Sequence, residues 1–163
     1  MDAIRVLLRQ HRAVEKLFQK FEEEDDVELK RAACQEIGDA LAIHTTIEEK
    51  LFYPATKEAR SEQQLLEAVK EHVATRRTIA DVVDEQEDLD DAHLSARVRA
   101  LKDQVAHHVR EEEREFFPKV KKFLDVHQLD RLGDQLEDMS AEMKARGSLR
   151  MHMPGETDRP API

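Results

Sequence analysis

HTTIEEKLFYP (44–54) and HVREEEREFFP (108–118) are two versions of one phrase, set 64 residues apart in a chain of 163. Each runs histidine, glutamate four residues later, an aromatic pair, then proline ten residues after the histidine. Positions i and i+4 are neighbours on one face of a helix, with Cβ atoms about 5–6 Å apart. The flanking residues keep the same period. Cys34, Ile37 and Leu41 lead into His44 and Glu48, and on to Leu51 and Ala55. Leu94, Val98, Leu101 and Val105 lead into His108, Glu112 and Phe116.

Worked outward, the same period marks five segments. The first covers 2–24, with Ile4, Leu7, His11, Val14, Phe18 and Phe21 on its stripe, and the acidic run EEEDD ends it. The second and fourth, 28–59 and 92–124, carry the doubled phrase. The third, 62–87, carries Leu65, Val69, His72, Arg76, Ile79 and Val83. The fifth, 127–146, carries Leu129, Leu132, Leu136, Met139 and Met143. Ser61 suits the N-cap of the third segment and Gly147 the C-cap of the fifth. Pro54 and Pro118 fall inside helical patterns, where each is expected to kink or break its helix. From Gly147 the chain loses its period and holds three of its five prolines, which reads as a disordered tail.

These patterns predict an all-α fold: an antiparallel up-down-up-down four-helix bundle with an additional C-terminal helix across its end or side. Residues 1–146 form the expected domain and 147–163 a flexible tail. His11 precedes His44 by 33 residues and His72 precedes His108 by 36, so the bundle reads as one helical hairpin written twice.

Composition narrows the function classes. Charged residues make up 38% of the chain and glycines number four, which favours long helices over sheet. A net charge of −10 with no basic stripe argues against nucleic acid and anionic membranes. No apolar run approaches membrane-spanning length and no signal-peptide pattern opens the chain, so a cytoplasmic location is expected. The single cysteine, Cys34, reads as a small core residue.

The chemistry lies where polar residues interrupt the apolar stripes. His11, His44, Glu48, His72, His108 and Glu112 all fall on core-facing positions. Burying six such groups is costly unless they find partners, either one another or metal ions. Four imidazoles and two carboxylates meeting in mid-bundle would be satisfied by two divalent metals bridged by the carboxylates. A donor set without thiolate suits iron or manganese, with zinc also accommodated. A single His-x-x-x-Glu carries little weight here, since His11/Glu15 and His107/Glu111 match it too. His107 sits between Asp103 and Glu111 on the wet face, and His93, His127 and His152 read as surface or tail residues.

His11, HTTIEEKLFYP, EHVATRR around His72 and HHVREEEREFFP together resemble the hemerythrin-like family, specifically the HHE cation-binding domain, over about 4–124. The resemblance implies a non-haem di-iron centre, oxo- or hydroxo-bridged, in a four-helix bundle. His11 and His44 would sit mainly on one iron, His72 and His108 on the other, with Glu48 and Glu112 bridging. One departure stands out. Oxygen-carrying hemerythrins have a second histidine four residues along the third helix, and here that position is Arg76. Either Arg76 pairs with a nearby glutamate or snorkels outward, or its guanidinium orients Glu48, Glu112 or an incoming peroxide. Tyr53, the counterpart of Phe117, either packs with its hydroxyl wet or approaches the metals as a hydrogen-bond donor or radical relay. Glu49 and Glu113 read as surface groups or outer partners of the site, able to become ligands if the metals shift.

Two functions fit. One is an enzyme that decomposes peroxide or reduces NO or O2 under oxidative stress, with an electron donor or partner protein still to be named. The other is a sensor or carrier of O2, NO or iron without turnover. A ferritin-like oxidase is excluded, because none of His11, His44, His72 or His108 has glutamate three residues before it. A metal-free interaction module is the remaining alternative, and the Met151–Met153 stretch MHM carries little weight as a soft-metal site.

Overall fold

Four aspartates start helices. The side chain of Asp2 accepts from the backbone of Arg5 and opens α1 (Ala3–Glu23). Asp26 opens α2 (Val27–Ile47) in the same way. Each satisfies backbone N–H groups that a helix leaves without partners, a contribution of about 1 kcal/mol. The computed structural model describes residues 1–85 and 87–147, and all its regular structure is helical.

After α2 the chain does not continue as a uniform α-helix. A π turn spans Glu48–Phe52, closed by the Tyr53 N–H bonding the Glu48 carbonyl, and short α3 (Tyr53–Thr56) and a 3₁₀ turn (Lys57–Ala59) follow. Ser61 and Gln64 then exchange side-chain-to-backbone hydrogen bonds, a capping box that starts α4 (Glu62–Glu85). Asp90 caps α5 (Asp91–Glu111). A second π turn, Glu112–Phe116, is closed by Phe117 N–H on Glu112 carbonyl and leads into α6 (Phe117–Phe123). Asp125 caps α7 (Val126–Ala145) with a capping box to Gln128. Gly147, at φ +86°, follows it, its N–H bonding the Lys144 carbonyl.

The break expected at each proline is thus a π turn just ahead of it. Pro54 and Pro118 have no N–H to give the preceding turn, and the wider turn absorbs that loss. It also shifts the register. The α period places Leu51 and Ala55 on the core face. With one residue added to the turn, Phe52, Tyr53 and Thr56 are buried, while Leu51 is half-buried and Ala55 exposed.

Helices α1, α2, α4 and α5 pack as a closed ring, each against its chain neighbours, with α1 meeting α5. With α3 and α6 continuing α2 and α5, this is the up-down-up-down bundle. α7 does not cover the end of the bundle but lies along its side, against α1 and α2. The contact is close: a Cβ on Gly133 would fall 1.9 Å from the Met1 carbonyl oxygen. Cys34 is buried in the core, and no helix among the described residues is long and apolar enough to cross a membrane. The expected tail, apart from Gly147, and with it MHM and His152, lies outside the described residues.

Candidate metal centre

The six core-facing residues of the stripes come together in mid-bundle. His11 on α1 and His44 on α2 face His72 on α4 and His108 on α5, and the first residue of each π turn supplies a glutamate between them. Glu48 and Glu112 are wholly buried, and the four histidines are between 1% and 8% exposed. All four Nε2 atoms face the carboxylates. His11 Nε2 lies 3.4 Å from Glu112 Oε2 and His44 Nε2 lies 3.2 Å from Glu48 Oε1. On the other side, His72 Nε2 lies 3.0 Å from Glu48 Oε2 and His108 Nε2 lies 2.9 Å from Glu112 Oε1.

Two overlapping groups of four result, His11–His44–Glu48–Glu112 and Glu48–His72–His108–Glu112, each with ligand atoms within 4.8 Å of one another. The glutamates belong to both, facing each group with a different oxygen. In the first group, His11 Nε2, His44 Nε2, Glu48 Oε1 and Glu112 Oε2 are buried and make no hydrogen bond. Such atoms are expensive unless a ligand takes them up, so this donor set fits a metal ion. In the second, the Tyr53 hydroxyl lies 2.8 Å from Glu112 Oε1 and 3.2 Å from both Glu48 Oε2 and His72 Nε2. His72 and His108 also meet Nε2 to Nε2 at 3.1 Å.

The outward ring nitrogens are all engaged. His11 Nδ1 donates to Glu113, His72 Nδ1 to Glu49 and His108 Nδ1 to Glu71, at 2.9–3.0 Å, and His44 Nδ1 donates to the Gln10 amide oxygen at 2.9 Å. This fixes the tautomer with Nε2 inward and raises imidazole basicity, as around metal-bound histidines. The pattern repeats between the hairpins. The residue before each lone histidine, Gln10 or Glu71, holds the phrase histidine of its own hairpin. The residue after each shared glutamate, Glu49 or Glu113, crosses to the lone histidine of the other hairpin. Arginines back both crossing carboxylates, Arg76 on Glu49 at 2.8 Å and Arg12 on Glu113 at 2.6 and 2.7 Å.

Protons balance the centre when metal is absent. Burial opposes charge on His11, His72 and His108. Charge and close contacts from Glu112, Glu48, Glu49, Glu71 and Glu113 outweigh it and raise all three above 6.5, His108 furthest. Burial likewise opposes ionised Glu48 and Glu112, yet the surrounding histidines hold Glu48 well below its usual range and Glu112 down to about 2. Burial and the nearby carboxylates push the Tyr53 phenol well above 10, so it stays neutral.

At four residues the structure chooses among the readings that the sequence left open. The Tyr53 hydroxyl is not wet but sits within the second group. Glu49 is buried, not on the surface, and Glu113 is half-buried. Arg76, 2% exposed, does not snorkel outward; it pairs with the carboxylate that holds His72. Gln10 and Glu71 gave no signal beyond standing next to a stripe histidine. His107 is exposed, as expected.

A cavity of about 20 Å³ lies against the four histidines, walled by Leu41, Thr45, Thr75 and Val105. It has room for about one water-sized molecule. A groove of about 210 Å³ between α1 and α5 shares His11, Val14, Val105 and Val109 with that cavity and opens to the surface beside Arg12 and Lys102.

The model of the hemerythrin HHE cation-binding domain matches residues 2–120. The chain belongs to the hemerythrin HHE cation-binding domain family. This hemerythrin domain carries a metal-binding site by family, and the paired His–Glu groups are where the structure offers one. Among solved structures, the chain is similar to a hemerythrin HHE cation-binding domain-containing protein from Mycobacterium kansasii, an Rv2633c homologue. The TM-score is 0.76 at 24% identity, over 94% of this chain and 97% of that one, a likeness of fold. No curated protein matches the chain significantly.

Proposed function

We propose that this hemerythrin domain holds two non-haem iron ions and binds O2, peroxide or NO beside them, turning over peroxide or NO in detoxification. His11 and His44 would hold one iron and His72 and His108 the other, with Glu48 and Glu112 bridging. The observation that carries this reading is the sharing of Glu48 and Glu112 between the two groups, each glutamate offering one oxygen to either side. A mononuclear site would leave half of that donor set buried and unused. Iron suits imidazole–carboxylate donors and supplies one-electron chemistry, with manganese or zinc as the alternatives.

The cavity against the histidines, with room for about one water-sized molecule, suits a small ligand such as O2 or NO. The four outer partners keep each Nε2 inward whether or not a ligand is present. With Arg76 in place of a further histidine, the position four residues after His72 supplies no imidazole ligand, which leaves coordination open for an incoming molecule. Arg76 and Tyr53 act on ligand-bearing residues, Arg76 through Glu49 and Tyr53 through Glu112.

Metal analysis of protein from iron-supplied cells, with the near-ultraviolet spectrum of the same sample, tests this. Two irons per chain with charge-transfer absorption of a bridged ferric pair are expected, followed by peroxide or NO consumption. Loss of iron in both His44→Ala and Glu112→Ala is the matching outcome for the site. A folded chain that takes up no iron would reject the proposal, and ligand binding without turnover would leave a sensor or carrier.

A further inference from the structure

The two halves of the centre are related by the repeat, and this makes their differences readable. The lone histidines are matched, since His11 and His72 each donate Nδ1 to a glutamate that an arginine backs. The phrase histidines are not matched. His108 donates to the Glu71 carboxylate, whereas His44 donates to the neutral Gln10 amide. The amide orientation is fixed from outside the ring of four helices. Ser140 on α7 spends its hydroxyl proton on the Leu136 carbonyl at 2.7 Å, so its oxygen accepts from Gln10 Nε2 at 3.2 Å. That leaves Gln10 Oε1 toward His44. The second difference falls on the His72–His108 side. Tyr53 stacks on His72 as Phe117 stacks on His11, but only Tyr53 brings an oxygen to the shared glutamates.

An imidazole whose far N–H meets a carboxylate is a stronger donor than one that meets an amide, and a stronger donor favours the higher oxidation state. The hydrogen bonds that the metal-free ligands make do not enter the comparison. A reduction potential compares ferric with ferrous binding to one site, and the empty site cancels.

We infer that Gln10 is a positioning residue that makes the two irons unequal, so that the iron on the His11–His44 side is reduced first. This rests on the di-iron reading above. In the step, one electron from an external one-electron donor such as dithionite converts one ferric ion to ferrous, and no bond of the chain is made or broken. The half-reduced centre then has its ferrous ion beside His44 and its ferric ion beside His108 and Tyr53.

The test is a reductive titration of the iron-loaded full chain, with the half-reduced species counted by electron paramagnetic resonance. Gln10→Glu and Glu71→Gln are near-isosteric, and each gives both phrase histidines the same kind of partner. Either single variant is expected to narrow the gap between the two reduction steps, lowering the constant for forming the half-reduced state on the order of ten-fold. Gln10→Glu does so by moving the first step to lower potential, and Glu71→Gln by moving the second to higher. The double variant exchanges the partners and is expected to widen the gap again. A purely structural role would not give that recovery. An unchanged gap in both single variants, or a further narrowing in the double, overturns the inference. Iron counts on the same samples separate the two readings. Two irons with unmoved steps reject the inequality alone, and fewer than two in the unaltered chain rejects the di-iron centre and the inequality with it.

Discussion

Tyr53 contributes different things to the empty and the filled centre. Without metal its hydroxyl is the donor nearest Glu112 Oε1, in a place closed to water. Removing it takes one of two donors from that buried oxygen, His108 Nε2 at 2.9 Å being the other, at a cost of about 1–3 kcal/mol. Phe117 shows that a phenyl ring fits the equivalent place against a histidine. Tyr53→Phe is therefore expected to destabilise the metal-free chain by roughly that amount and the metal-loaded chain far less, read from urea unfolding of both forms. Equal losses in the two forms would mean that the hydroxyl supports packing alone. The six core-facing residues could be singled out in the sequence because they interrupt apolar stripes at helical spacing. Of their outer partners, Gln10 and Glu71 could not, and Glu49 and Glu113 stood out only as neighbours of the shared glutamates. The histidines those two hold lie on the other hairpin. Only the crossing of the helices shows which histidine each one holds.

Elements show where periodicity stops being a guide. Caps were readable, since Ser61 and Gly147 act where their chemistry predicts. Proline announced a break at 54 and 118 but not its kind, because the same residue tolerates a kink, a stop or a wider turn. The turn adopted decides which of Leu51 and Phe52 is buried, and its first residue is the shared glutamate. α7 was readable as an amphipathic helix, yet its resting place was not, because the sequence does not say which flank it covers. Gly133 identifies it: only hydrogen fits against the backbone of Met1 to Ala3. Gly133→Ala must push α7 away from α1, an overpacking cost of about 1–3 kcal/mol that outweighs alanine's better helix propensity. Thermal unfolding of the variant checks this, and an unchanged or raised midpoint would show that the two helices separate freely.

At the scale of the whole molecule, the core is built around polar atoms that a metal would complete. Metal that binds only the folded chain stabilises it by about 2.7 kcal/mol for each site at a hundred-fold excess over its dissociation constant. In a domain of this size that is roughly 5–10 °C in unfolding midpoint. Chelation is expected to lower the midpoint by at least that much, and a calorimetric scan before and after removal measures it. No change would place the metal outside the core. Uptake must also displace the protons that the neighbouring carboxylates favour on His72 and, further still, on His108. Metal binding is therefore expected to release protons and to weaken as the solution is acidified, which titration at two pH values reports.

The crossing bonds from Glu49 to His72 and from Glu113 to His11 carry a topological consequence. Residues near opposite ends of the bundle sequence, 11 and 112, would be ligands of one ion, and the chain between them would become a closed loop of about a hundred residues. A chain whose only cysteine is Cys34 has no internal disulfide to serve that purpose. The metal pair would act as its cross-link, one that forms only after both hairpins have found each other and that opens again whenever the ions leave.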